Sequence, residues 1–130
     1  MADTDGKAIQ LRGSVWRIDV TSPAHYAVEW TEEHIFKPLE AASQVEPLVL
    51  LVVFSPQVKR TAAHTAALWV EAIRSGRIRL RAGLVVNQSM AIRAAANGVG
   101  LALQTLGAAL AVHSFKALEE AEAWLAKNVP

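Results

Sequence analysis

The chain of 130 residues contains no cysteine, which excludes disulfides and thiolate metal sites. It also lacks an excess of charge of either sign. Thirteen basic against twelve acidic residues leave a net charge of +1, so nucleic-acid or anionic-membrane binding would need a local patch rather than an overall field. Long apolar runs are missing too. The longest, 48–54, covers less than half of the roughly 20 residues a bilayer crossing requires, and the stretch 91–112 is broken by Arg93, Asn97 and Gln104. No transmembrane segment is expected, and nothing near Met1 joins a basic start to an apolar stretch as a secretion signal does, so a cytoplasmic location is expected. Four histidines (His25, His34, His64 and His113) fall on different expected elements with no His-x-x-x-His or Glu-x-x-His spacing. Neither a metal nor a cofactor is expected.

What is present is apolar material in periodic order. Hydrophobic residues make up 52% of the chain and charged residues 19%, a balance that supports a packed core, and the length fits one domain. The small polar residues of segment 1–7 cannot bury enough surface to offset their ordering entropy, so a flexible tail is expected there and a single domain over 8–130. Gly13-Ser14 between two alternating runs reads as a hairpin turn of type II′. Counting outward from it pairs Arg12 with Val15, Leu11 with Trp16 and Ile9 with Ile18, and predicts a buried face of Ile9, Leu11, Trp16 and Ile18. Alternation of Tyr26, Val28 and Trp30 suggests a third extended segment. Thr31-Glu32-Glu33 then suits a helix start, with Pro38 either opening the helix or kinking it.

Beyond Pro47, the run Leu48–Phe54 is uninterrupted and partly β-branched, as in a central strand covered on both faces. Val58, Ala62, Ala66, Trp69 and Ile73 recur at helical spacing up to Ser75-Gly76, a stop signal. The alternation repeats: strand 83–86, alanine-rich helix 89–106, strand 109–115 and helix 117–127. The expected fold is α/β: a mixed sheet of about five strands, an N-terminal antiparallel hairpin followed by βαβαβα units, with helices flanking the sheet.

Ligands of such sheets commonly bind beyond the carboxyl ends of the parallel strands, which singles out Ser55, Asn87, Ser89 and the segment 114–116. Capping explains Ser55 and Ser89 more simply than nucleophilic chemistry, because neither sits in a Gly-x-Ser-x-Gly elbow. Gly98-Val99-Gly100 lacks the third glycine and the Gly-Lys-Ser/Thr ending of a phosphate loop. The small residues Ala94, Ala95, Gly98, Ala102 and Gly107 instead allow close approach to the sheet or to a neighbouring chain. Arg74, Arg77, Arg79 and Arg81 form a basic stripe with two readings: guanidinium forks that hold an acidic partner, or a charged edge that discourages strand pairing. No aromatic residues interleave with the stripe as base stacking requires, so nucleic acid is not expected. Trp16, Trp30, Trp69 and Trp124 fall on apolar faces and are expected in the core.

From Pro47 onward the element order resembles the SpoIIAA-like proteins of the STAS/SEC14-type group, most specifically at Phe115, Glu119, Glu120, Ala121, Trp124 and Leu125. The resemblance implies a non-catalytic regulatory or scaffold domain that docks another protein; a homo-oligomer is a further expectation. The alternatives are a carrier of a small apolar or lipid-like ligand and, third, a small hydrolase or transferase. Related anti-sigma-factor antagonists carry a phosphorylatable serine at the start of the helix after the central strand. Here that stretch reads Lys59-Arg60-Thr61-Ala62, leaving Thr61 as the substitute modification candidate. Ala117 is a second departure, since related chains place a capping polar residue there.

Overall fold

A computed structural model of the chain describes residues 5–58, 63–108 and 110–129. The apolar run becomes β3 (Leu48–Phe54), the middle strand of a five-stranded sheet ordered β1-β2-β3-β4-β5. Its neighbours are β1 (Ile9–Arg12), β2 (Val15–Val20), β4 (Leu80–Val86) and β5 (Ala111–Phe115). β1 runs antiparallel to β2, and β2 to β5 are mutually parallel. The α/β fold with its mixed sheet is thus the one expected. Side chains of β3 alternate between two cores: Leu48 and Leu50 on one face, Val49 and Leu51 on the other.

Parallel strands that succeed one another in space as in sequence need crossovers that all step the same way, and the preferred right hand then returns each over the same face. Accordingly α1 and α2 (Val28–Thr31 and Lys37–Ser43), α3 (Ala63–Arg74) and α4 (Met90–Thr105) share one side. There Phe36, Leu39, Ala72 and Ile92 are buried with Ile18 and Leu50. The last helix, α5 (Leu118–Asn128), covers the opposite face with Ala121 and Leu125 against Leu51, Ala82 and Leu84. Trp124 of α5 is half-buried, its ring 5.1 Å from that of His113. The other three tryptophans are also half-buried, so none lies fully in the core.

Three local expectations are corrected. The hairpin pairs Ile9 with Arg17, Gln10 with Trp16 and Arg12 with Val15, so the register shifts at Leu11. Leu11 and Ile9 are consequently 48% and 38% exposed rather than buried, as an irregular edge strand allows. Residues 23–31 are helical rather than extended: a 3-10 turn over Pro23–Tyr26, capped by the Ser22 hydroxyl accepting from Ala24 N–H at 3.0 Å, leads into α1. The expected helix from Thr31 therefore begins three residues earlier, at Val28. Pro38 falls in the first turn of α2, as the reading in which it opens a helix expects, and the helical path continues unbroken across it. A wider π-type turn over Glu32–Phe36 precedes it, and the His34 carbonyl, which Pro38 cannot serve, accepts Ala8 N–H at 2.9 Å.

That last bond helps to explain why the described part of the expected tail is held. Gly6 N–H donates to Asp19 O at 2.6 Å, and Trp30 Nε1–H donates to Gly6 O at 2.6 Å. The Trp30 ring stands between His25 and His34, with centroids 5.1 and 4.1 Å away. Gly6 has φ +72°, and a Cβ there would meet the His25 ring at 2.5 Å, so only glycine fits. At the other end of the chain, Ala117 supplies no side-chain cap. Glu120 takes over half of the task, its Oε1 accepting Ala117 N–H at 3.1 Å and Lys116 N–H at 3.2 Å.

Candidate functional site

The carboxyl edge of the sheet is organised by Asn87, which directly follows β4 and is 3% exposed. Its Nδ2 donates to Phe54 O at 3.0 Å and Ser55 O at 3.3 Å, and its Oδ1 accepts Ser89 N–H at 2.7 Å. One side chain therefore ties the end of β3 to the start of α4. Ser55 forms a local turn, donating to Gln57 Oε1 at 3.1 Å and accepting Gln57 N–H at 3.3 Å. Ser89 occupies the N-cap position of α4, yet its hydroxyl makes no cap bond; the Asn87 side chain accepts the Ser89 N–H instead. Ser55, Asn87 and Ser89 thus come together, in an arrangement that holds the backbone. Thr61, the modification candidate, and Ala62 lie outside the described residues.

The arginines do not form one free stripe. Arg77, half-buried before β4, donates through Nη1 to Glu32 Oε1 at 2.8 Å and through Nε to Glu40 Oε1 at 2.9 Å. A further bond joins its Nη2 to Glu32 Oε2. Its guanidinium also lies 5.4 Å from the centre of the Phe36 ring. The Arg77 hydrogen bonds hold the Glu32 carboxyl below the usual carboxylate range despite opposing desolvation, and the same bonds push the Arg77 pKa up. Arg79 donates to the Ser43 carbonyl at 2.8 Å, the end of α2, where a cation also opposes the helix dipole. Arg74 forks onto Glu71 at 2.7 Å, and Arg81 reaches the Ser14 hydroxyl at 3.5 Å. β4 is an interior strand, so the edge-protection reading of these arginines has no edge to protect.

The histidines are spread as the sequence implies, each with its own local role. His25 Nδ1 accepts Thr21 N–H at 3.2 Å, and His64 Nε2–H donates to Tyr26 O at 2.7 Å. Burial pushes the nearby Tyr26 phenol up to about 12. Among the described residues, no three metal-ligating side chains gather, and no helix is long and apolar enough to cross a membrane.

The outer side of α4 is the feature that residue-type motifs missed. Its 16 residues carry a single charge, Arg93. Met90 and Leu101 are 76% and 66% exposed, and with Ala94, Asn97 and Thr105 they follow the 3.6-residue period along the solvent side. Beside this ridge runs a shallow, mostly apolar trough between α3 and α4, lined by Ala67, Val70, Gly98 and Ala102, with Glu71, which pairs with Arg74, also in the lining. Gly98 and Gly100 play opposite parts. A Cβ on Gly100 would lie 2.8 Å from Val112 Cβ, so Gly100 lets α4 settle onto β5, whereas a Cβ on Gly98 would meet nothing within 4 Å. A helical projection of Met90, Ala94 and Leu101 against Ile92 and Leu103 was the available signal.

No known protein family, curated protein or solved structure matches the chain.

Proposed function

We propose that this chain is a non-catalytic regulatory or scaffold domain that works by docking through the outer side of α4, which packs against the same side of a second copy. The observation that carries this reading is the uncharged ridge of Met90 and Leu101 lying next to a trough floored by Gly98 and Ala102. A two-fold axis across α4 sets the ridge of each copy into the trough of the other. It also doubles every charge near the axis, and a helix with one charged residue avoids that repulsion. Large apolar side chains exposed along one uncharged helix face are a common feature of interaction sites.

Docking through the arginines has less support, because Arg77 and Arg74 are spent on acids of the same chain. The proposal keeps the resemblance to SpoIIAA-like proteins, supported by the sequential parallel strands and by a final helix whose Ala121 and Leu125 lie on the sheet. A non-catalytic role is supported by the local bonding of Ser55 and Asn87 at the carboxyl edge.

Sedimentation equilibrium from micromolar to sub-millimolar concentration tests the reading. The wild-type chain is expected to dimerise, and Leu101→Glu, which buries two like charges near the axis, to remain monomeric with an unchanged melting curve when dilute. A wild-type chain that stays monomeric throughout, or a dimer indifferent to Leu101→Glu, refutes self-docking through α4. In the monomeric case, the face is left to a different protein.

A further inference from the structure

Behind α3 and α4 lies a cavity of about 130 Å³ against the sheet, walled by Leu50 and Val52 of β3, Trp69 of α3, Val85 of β4, and Ile92 and Leu103 of α4. Thr65 supplies the one hydroxyl of the lining, and the Trp69 indole its one side-chain N–H. The Thr65 Oγ1 is buried and has no hydrogen-bond partner, one of only two such side-chain atoms among the described residues. A buried hydroxyl left unpaired is costly, and native structures rarely retain one without a reason. Water is a poor occupant here, since a buried water needs two to four polar partners and, of the lining side chains, Thr65 and Trp69 alone carry a polar atom. An apolar void of closely similar size, about 150 Å³, stays dry and takes up benzene. The volume suits one six-membered ring and is far too small for a lipid-like ligand, whose pockets commonly begin at about 300 Å³. The lining offers no charge to balance an ionic ligand.

We propose that this cavity is a binding site for a small, uncharged, monocyclic aromatic molecule carrying one hydrogen-bonding substituent, which is held by the Thr65 hydroxyl. The proposal goes beyond docking: the cavity lies beneath the outer trough and shares Ala66, Ala95 and Val99 with it, and methyl shifts in the dilute chain test it apart from dimerisation.

Phenol and benzene are the probes, with the methyl resonances of Val52, Val85, Ile92 and Leu103 as the readout. Both probes are expected to give saturable shifts confined to those methyls. Thr65→Val, close to isosteric, should weaken phenol about tenfold, the equivalent of one hydrogen bond, and leave benzene unchanged. Ala96→Leu, which places extra carbon into the cavity, should abolish both without lowering the melting temperature. The Thr65→Val comparison decides the matter alone if the larger residue disturbs folding. Failure of both probes to shift the cavity methyls overturns the site, and equal phenol affinity in the wild-type chain and Thr65→Val overturns the role of the hydroxyl.

Discussion

Removing the Asn87 side chain should loosen the carboxyl edge of the sheet more than any single change among the candidate site residues. In Asn87→Ala the donor to Phe54 O and Ser55 O and the acceptor for Ser89 N–H vanish together, at a position 3% exposed. Each made bond contributes about 1 kcal/mol net, and the 3.3 Å contact less, while the orphaned partners add part of their desolvation cost. Water can enter the gap left behind and recover some of that loss. The expected cost is therefore about 2 to 3 kcal/mol. With an unfolding entropy of about 0.27 kcal/mol/K for a chain of 130 residues, the melting temperature should fall by about 7 to 11 °C. Urea titration supplies the free energy and differential scanning calorimetry the temperature. Asn87→Asp sharpens the test: it keeps the acceptor but sets a buried carboxylate against two carbonyl oxygens, so its deficit should be largest near neutral pH and shrink as acid protonates it. A loss below about 0.5 kcal/mol in Asn87→Ala would place the side chain among ordinary surface substitutions and refute the clamp.

Two further outcomes follow from the packing and the charges. Gly100→Ala forces a Cβ to 2.8 Å from Val112 Cβ and should cost about 1 to 2 kcal/mol net of improved helix propensity, whereas Gly98→Ala, with open space around it, should stabilise the dilute chain by up to about 1 kcal/mol; equal effects in urea titration would contradict the placement of α4 on β5. Arg77→Met should lower stability by about 1 to 2 kcal/mol near neutral pH, a moderate figure because Glu32 and Glu40 are partly exposed. Since Glu32 titrates below its ordinary range in the fold, the contribution of its pair is complete above the unfolded carboxylate pKa and is lost as pH falls through the folded one. The gap between wild type and Arg77→Met should therefore begin to narrow as pH falls past the ordinary glutamate range, at about 4.3, and go on narrowing through the lower folded value, and a gap that stays constant into acid would show that the pair adds nothing.

How much of this was legible in the sequence depended on whether the signal was periodic or distant. The continuous apolar run at 48–54 and the alternation after it carry the sheet and its layers, because strand and helix periods are local properties. Tyr26, Val28 and Trp30 misled for the same reason: alternation over five residues is too short to exclude helix, and the Ser22 cap with Pro23 at the first helical position was the better signal. The bulge at Leu11 depends on pairing geometry that one strand's composition does not encode. Arg77 meets Glu40 and Glu32 across 37 and 45 residues, so a stripe that looked free in sequence is tied down only once the helix folds beside β4. Asn87 and Ser89 lie at the carboxyl edge that the strand order implied, whereas the Asn87 bonds to Phe54 O and Ser55 O depend on tertiary contacts across more than 30 residues that local sequence does not display.

The absence of cysteine from the chain permits a direct measurement of the proposed docking. Single cysteines introduced in turn by Ala94→Cys, Asn97→Cys and Leu101→Cys along the outer side of α4 should include at least one that forms a covalent dimer rapidly under mild oxidation, because residues near a two-fold axis come within disulfide reach of themselves. Glu122→Cys, exposed on α5 across the sheet, should remain monomeric on the same timescale. Cross-linking no faster along α4 than at residue 122 would contradict the account.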